Sequence, residues 1–406
     1  MKYVLATAAV LAAGGPACAQ SITLTPLADL RVRYENVDQS GLPKDADALT
    51  FRLRGGLQAS DGPWSALVEG EGTLAAIDHY YDGLQGSATT RPLVADPQNI
   101  GLYRAQLQYK SDAFTITGGR QRIMLDDERF VGAVNFRDNG QTFDAVRIEA
   151  MPIKGLKADV SYAWNVHTIW GIDGNGARQP SIGGNNVLAN VSYQTPVGTL
   201  TGFAYLVDQD ELAVQRYALS SQSYGGRFAG THAFSRTVKL SYQASYATQS
   251  DYRRNPNHYR ADYYLVDGTL DVSLLKLNAG YEVLGAAHGH EGGVALTSLQ
   301  TPLATGFKFQ GWADKFLTTP PNGVRDLYGS AGLGWKQVGL AKAVTLQAIY
   351  HRFESDRLSQ HYGNEWDALA SAKFGKTIVS VRYADYRADR LFTDTRKIWL
   401  ELDWAL

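Results

Sequence analysis

The last ten residues, KIWLELDWAL, alternate without a break. Ile398, Leu400, Leu402, Trp404 and Leu406 hold one parity, while Lys397, Trp399, Glu401, Asp403 and Ala405 hold the other. Successive side chains of a strand point to opposite faces, so this segment has one apolar and one mostly polar face. The same period of two returns along the whole chain. ADLRVRY sets Ala28, Leu30, Val32 and Tyr34 against Asp29, Arg31 and Arg33, and LTFRLRGGLQ sets Phe51, Leu53 and Leu57 against Arg52, Arg54 and Gln58. About eighteen such segments of roughly ten residues can be traced, the length a tilted strand needs to cross a bilayer. Their connections alternate between tight turns, such as Ser60 to Pro63 and Pro152 to Gly155, and long loops. The long ones include Tyr81 to Gln98, Ile123 to Gln141, Thr168 to Asn185 and Ala286 to Val324.

That pattern predicts an all-β fold: a transmembrane, antiparallel, up-and-down β-barrel of about 18 strands in a Gram-negative outer membrane. A closed barrel satisfies every backbone hydrogen bond between strands, so its wall tolerates hydrocarbon. An even strand count puts both termini on the tight-turn, periplasmic side. The 23 Tyr and 8 Trp then have a place at the two membrane interfaces, with Tyr109, Trp164, Tyr193, Trp335 and Tyr350 near strand ends on the apolar parity. The apolar C-terminal strand suits recognition by the barrel assembly machinery, and the outer surface meets lipid and lipopolysaccharide. A soluble β-sandwich or propeller is the alternative. The chain's length speaks against the first, and the lack of a blade-length repeat against the second.

The first residues, MKYVLATAAVLAAGGPACAQ, carry a basic n-region, an apolar run too short for a membrane helix, and small residues at a cleavage site. Residues 1–19 are read as a secretory signal peptide and 20–406 as one barrel domain. The single cysteine, Cys18, falls in the leader, so thiol chemistry and Cys-based zinc sites are excluded from the domain. With 39 basic and 40 acidic residues there is no basic excess for nucleic acid.

If the apolar parity faces lipid, the charged parity lines the lumen, and eighteen strands are more than side chains alone can fill. Parity sends Arg31, Arg33, Arg52, Arg54, Arg104 and Arg147 inward, along with Arg227, Lys239, Arg260 and Arg382. Acids such as Asp29, Glu35, Glu69, Glu71, Glu149, Asp159, Asp262, Asp326, Glu401 and Asp403 share that side. Arginine grips carboxylates through paired hydrogen bonds, so the set is a candidate track for an anionic solute. The competing reading is that arginines and carboxylates of neighbouring strands pair and stiffen the wall.

The stretch RQRIMLDDERF, Arg120 to Phe130, opens a long loop holding Phe130, Val131, Val134 and Phe136 among its charges. So apolar a loop is expected to fold back, bury those groups against the wall, and present Arg129 and Arg137 to a constriction. Two segments, GRQRIMLDDERFVGAVNFRDNGQTFDAVRIE (119–149) and LATGFKFQGWADKFLTTPPNGVRDLYGSAGLGW (303–335), resemble the alginate export porins. The resemblance implies an eighteen-stranded, monomeric barrel whose arginine-bearing pore passes an anionic polysaccharide by passive diffusion. It carries over Arg120, Arg122, Arg129, Arg137 and Arg147 as a positive track, with Asp126 and Asp127 as acids that fix the loop.

An uptake porin for a small organic or aromatic solute, gated by the Ala286 to Val324 loop, is the alternative function; an outer-membrane enzyme or adhesin is a third. His351 and His232 sit beside no obvious nucleophile, so no catalytic residue is assigned. HGHEGG (288–293) offers His288, His290 and Glu291 as metal ligands, but a polar loop tip explains it as well, so neither metal nor cofactor is expected.

Overall fold

The computed structural model describes residues 22–288 and 297–406. The 1–19 leader reading, His290 and Glu291 lie outside the described residues. Six strands open the chain: β1 (Thr23–Gln39), β2 (Ala46–Asp61), β3 (Trp64–His79), β4 (Asn99–Lys110), β5 (Phe114–Gln121) and β6 (Thr142–Ile153). The middle third holds β7 (Leu156–His167), β8 (Ser181–Thr195), β9 (Gly198–Val207), β10 (Ser221–Ala233), β11 (Val238–Asp251) and β12 (Arg260–Val272). The last six are β13 (Leu275–Leu284), β14 (Val324–Val338), β15 (Ala341–Glu354), β16 (His361–Phe374), β17 (Thr377–Ala388) and β18 (Thr395–Ala405).

Each strand pairs antiparallel with its sequence neighbours, and β1 pairs with β18, so the sheet closes into an 18-stranded barrel. Closure sets Leu30 opposite Trp404 and Val32 opposite Leu402 on one face, and Arg31 opposite Asp403 and Arg33 opposite Glu401 on the other. The first face is exposed to the surroundings, as Leu53, Val68, Leu74 and Leu400 show, each about half exposed or more. The second is buried inside: Arg33, Glu35, Arg52, Glu71 and Glu401 are all nearly inaccessible. This inversion of the soluble pattern is what hydrocarbon outside and polar lumen inside demand. No helix among the described residues is long and apolar enough to cross a membrane; the crossing elements are the strands.

Tight turns close one end and long connections the other, with both described termini at the tight-turn end. Register shifts fall mostly between β2 and β8, at Leu49/Thr50, Glu69/Gly70, Asp144/Ala145 and Ala163/Asn165. A bulge adds one residue and bends the strand. At Glu69/Gly70 it leaves Tyr103 unpaired, so Tyr103 and Arg104 both turn inward, where Tyr103 carries the Arg54 guanidinium on its ring.

Candidate functional site

The connection between β5 and β6, residues 122–141, does not stay outside the barrel. Ile123, Leu125 and Val131 are buried within the core cluster, and Ala133 is buried as well. Phe130 packs on Phe203, Tyr205 and Tyr263, on the far wall. Phe136 stacks on Phe307 of the β13–β14 connection, with ring planes 5° apart. A loop with this many apolar side chains gains more from burial than from solvation, roughly 1.5–3 kcal/mol for each large one fully buried.

Polar anchors fix it at both ends. Asp126 accepts from the Asn190 side chain at 2.8 Å, and Asp127 pairs with Arg227 at 3.0 Å. Asp126 stays open to the lumen, but the crowded walls around it desolvate the carboxyl and push it above its ordinary value, against the opposing pull of Arg227. Arg129 meets Glu282 of β13 at 2.7 Å. On the near wall, Arg31 donates to the Phe136 carbonyl at 2.8 Å, Arg33 to the same carbonyl at 2.5 Å, and Arg54 to the Asp138 carbonyl at 3.2 Å. Thr50 donates to Asp138, and Gly140 N–H donates to Glu71. A side chain at position 140 would collide with the Tyr103 hydroxyl, 2.6 Å from its Cβ.

The β13–β14 connection completes the barrier. Thr305 Oγ1 donates to Glu128 at 2.6 Å, Lys308 pairs with the same carboxylate, and Gly132 N–H donates to the Leu303 carbonyl at 2.8 Å. Burial pushes the Glu128 carboxyl up, but Lys308 and Thr305 outweigh it and hold it below its usual value. Val134 has a left-handed backbone (φ 50°), a conformation a β-branched residue keeps only where its surroundings impose it; its N–H donates to Thr305 Oγ1 at 3.1 Å. Beyond, the backbone N–H groups of Trp312 and Ala313 donate to Asp367 and Glu365 on β16. Asp314 pairs with Arg137 and Lys397. Burial works against the Arg137 charge, but Asp314, Asp96 and Glu35 outweigh it and raise its pKa. The two connections together form a slab across the lumen.

Most of the expected arginine track is spoken for. Arg31 pairs with Asp403 at 2.8 Å, Arg33 with Glu401 at 2.6 Å, Arg52 with Asp29, and Arg54 with Glu71 at 2.6 Å. Arg104 pairs with Glu69 at 2.6 Å and Arg147 with Asp159 at 2.6 Å. Arg129 and Arg137 lie in the slab as described, buried rather than presented to an open channel. Wall-stiffening pairs therefore account for most of the lumen arginines. Arg122 alone of the ten candidates makes no ion pair among the described residues, and it is partly exposed. Arg52 also keeps two buried guanidinium nitrogens, and Arg129 its Nη2, without an acceptor.

Two placements differ from expectation. Arg120 is not on the lumen side: it shares the outward parity of Ile116, pairs across with Ala105 and Asp144, and binds Asp144 at 2.9 Å on the outer face. Asn165 and His167 join that carboxylate from β7. Arg260 and Asp262 are likewise outward, because the large apolar Tyr263 and Leu265 take the inward parity of β12. The sequence reading missed Glu128, Asp138, Asn139 and Glu282, since what makes them matter is a partner far along the chain. Asn139 is fully enclosed: it accepts from Thr73 at 2.8 Å and donates to the Pro97 and Ile169 carbonyls at 2.9 and 3.2 Å.

Above the slab, at the long-loop end, lies a cavity of about 490 Å³. Its floor is Arg129, Val134, Arg137 and Gln141; Ile169, Trp170, Phe307 and Phe316 give it an apolar wall, and Gln300 and Gln310 a polar one. Below, at the tight-turn end, a cavity of about 620 Å³ is lined by Thr199, Arg227, Ser241, Gln243 and Asp267. No group of three metal-ligating side chains occurs among the described residues.

The chain's relatives by structure match this architecture. Acinetobacter baumannii OccAB4 superposes with a TM-score of 0.68 at 12% identity, covering 95% of this chain and 99% of that one. Acinetobacter baumannii OccAB3 gives 0.67 at 14% identity, over 94% and 99%. Pseudomonas aeruginosa OpdK, solved with vanillate, gives 0.64 at 12% identity, over 94% and 98%. No curated protein sequence matches the chain. Residues 26–166, which run from within β1 to one residue short of the end of β7 and include the slab's first loop, match the alginate export family model. The chain is thus a closed 18-stranded antiparallel β-barrel, with the fold of these outer-membrane proteins, whose residues 26–166 match the alginate export family model.

Proposed function

We propose that the protein is an outer-membrane uptake channel for small organic anions, aromatic acids among them, rather than a conduit for alginate-like polymers. The carrying observation is the cavity above the slab. Its volume of about 490 Å³ lies in the range of small-molecule sites, and it combines an aromatic wall with Arg129 and Arg137 on its floor. A solute with an apolar body and one negative end matches that wall and the Arg129 Nη2, which has no acceptor of its own. OpdK, solved with vanillate, supports the same class. A polyuronate needs a continuous run of free positive charge, whereas the lumen arginines here are matched by carboxylates at nearly every level. The family match over residues 26–166 is what supports the polymer as second reading.

In this reading the long-loop end faces outward, both termini lie in the periplasm, and lipid and lipopolysaccharide surround an unaided monomer. Flow is passive and no chemistry is performed on the solute. The test is the reversal potential of the purified barrel in planar bilayers under a salt gradient, with benzoate or oligouronate added. Anion selectivity with block by benzoate supports the small-acid reading. Block by oligouronate alone restores the polymer.

A further inference from the structure

The β4–β5 ladder is incomplete. It runs from Lys110/Thr115 up to Ala105/Arg120 and stops there, while β4 continues to Asn99 and β5 ends at Gln121 to enter the lumen. Upper β4, Asn99 to Arg104, therefore has strand partners on its β3 side only. An unpaired edge facing hydrocarbon is costly and is covered by something. Here the cover is side chains and one loop. Arg120 Nη1 donates to the Leu102 carbonyl at 3.1 Å, and the β7–β8 connection lies alongside, with Ile172 N–H donating to Asn99 Oδ1 at 3.1 Å.

That connection is thin. Ile169 and Trp170 line the 490 Å³ cavity above the slab. Two residues later, Ile172 and Asp173 line a second cleft of about 420 Å³ floored by Gly72, Leu74 and Ile100. Leu74 and Ile100 face outward and are 59% and 77% exposed, so this cleft opens on the lipid side. Ile100 lies nine residues above Tyr109; at about 3.3 Å per residue and a tilt near 40°, that is roughly 23 Å from the lower girdle, the upper edge of an apolar band about 25 Å tall.

We propose that this break in the wall is a lateral portal, through which organic anions with an apolar body pass from the outer leaflet into the cavity above the slab. The proposal rests on the uptake reading and adds a route to it. The chemistry is graded along the path: Leu74, Ile100 and Ile172 outside take an apolar body, and inside, the cavity floor holds Arg129, whose Nη2 has no acceptor of its own and can take the charge. Arg120 stands at the sill on the outer face. The loop is held by the Asn139 and Asn99 side chains and by Arg178 on Tyr81 instead of a ladder, so its displacement breaks a few side-chain contacts and leaves the barrel closed by its other strand pairs.

The experiment locks the loop to β4. A Cβ at position 101 would stand 3.6 Å from the Ile172 side chain, so Gly101→Cys with Ile172→Cys, in a Cys18→Ser background, places a disulfide across the portal. The purified barrel is reconstituted in vesicles, and influx of 1-naphthalenesulfonate is compared with chloride conductance, oxidised and reduced. The expected result is that oxidation cuts sulfonate influx about fivefold or more, leaves chloride conductance unchanged, and is reversed by reductant. Gly101→Trp, which fills the same gap without oxidation, shows the same selective loss. Equal loss of both anions, or loss of neither, overturns the portal and leaves the uptake reading standing. No sulfonate influx in the reduced protein, with chloride conductance intact, overturns the uptake reading and the portal with it.

Discussion

Thr305 Oγ1 donates to Glu128 Oε2 at 2.6 Å, joining two loops 177 residues apart. With Lys308 on the other oxygen, this carboxylate is the rivet between the β5–β6 and β13–β14 connections. Because Glu128 is held below its usual value of 4.5 when docked, its contribution is complete above that value and is lost as pH falls through the lowered one. Wild-type single-channel current should stay steady from pH 7 down to the ordinary carboxylate value and become noisy only at pH below it. Glu128→Gln should be noisy at every pH. A quiet Glu128→Gln channel would show that the apolar contacts hold the slab unaided.

Lys315 titrates in the opposite sense. Burial and the neighbouring Lys397 bring its pKa down from 10.5 to about 8. With the loop docked, Lys315 binds its proton less tightly than when free, so docking strengthens as pH rises from about 8 towards 10.5 and gains nothing further above that. Protease cleavage of the 301–323 loop should slow across that window in wild type. In Lys315→Met it should be slow already at pH 7 and flat with pH.

The arginines divide into two experimental classes. Arg33 is enclosed between Glu401 and Asp96; in Arg33→Ala, Arg382 still meets Glu401 and Arg137 still meets Asp96, but one negative charge of that buried cluster is left uncompensated. A cost of about 3–5 kcal/mol is expected, read as a lowered urea midpoint for the folded barrel. Arg122 has no such partner, so Arg122→Ala should leave the midpoint within about 0.5 kcal/mol yet reduce anion selectivity. The reverse assignment, a stability loss at Arg122 and none at Arg33, would overturn the division.

Asn139 holds three segments at once: β3 through Thr73, the β3–β4 connection through Pro97, and the β7–β8 connection through Ile169. Asn139→Ala removes all three hydrogen bonds and should weaken loop docking by roughly 2–3 kcal/mol. Limited proteolysis should then cut within residues 168–180 while the barrel stays intact on an unheated gel.

Deleting Asp126 to Asn139 removes the slab's first loop with its anchors on both walls. Single-channel conductance should rise severalfold. An unchanged value would place the narrowest point elsewhere.

Much of the wall was legible because parity is a local property. Leu30, Arg31, Val32 and Arg33 alternate in the sequence and do so in the barrel, whatever the distant chain does. Strand number, the alternation of tight and long connections, and the inward folding of an apolar loop followed from the same local chemistry. Parity failed where polarity alone was used to set the phase. Arg120 shares its parity with Phe114 and Ile116, and its charge is answered on the outer face by Asp144; Arg260 yields the inside to Tyr263 and Leu265. Bulges such as the one at Tyr103 shift the phase by a single residue, and no local signal marks them.

The sequence by itself determined that this chain is a barrel with a charged lumen, because a period of two and an apolar face bind every strand to one side of a wall. Only the tertiary structure decided which charges are free. Arg129 finds Glu282, Arg31 finds Asp403 and Glu128 finds Lys308 across separations of 150 residues or more. Barrel closure and loop insertion bring those partners together, and neither is written in the residues around them.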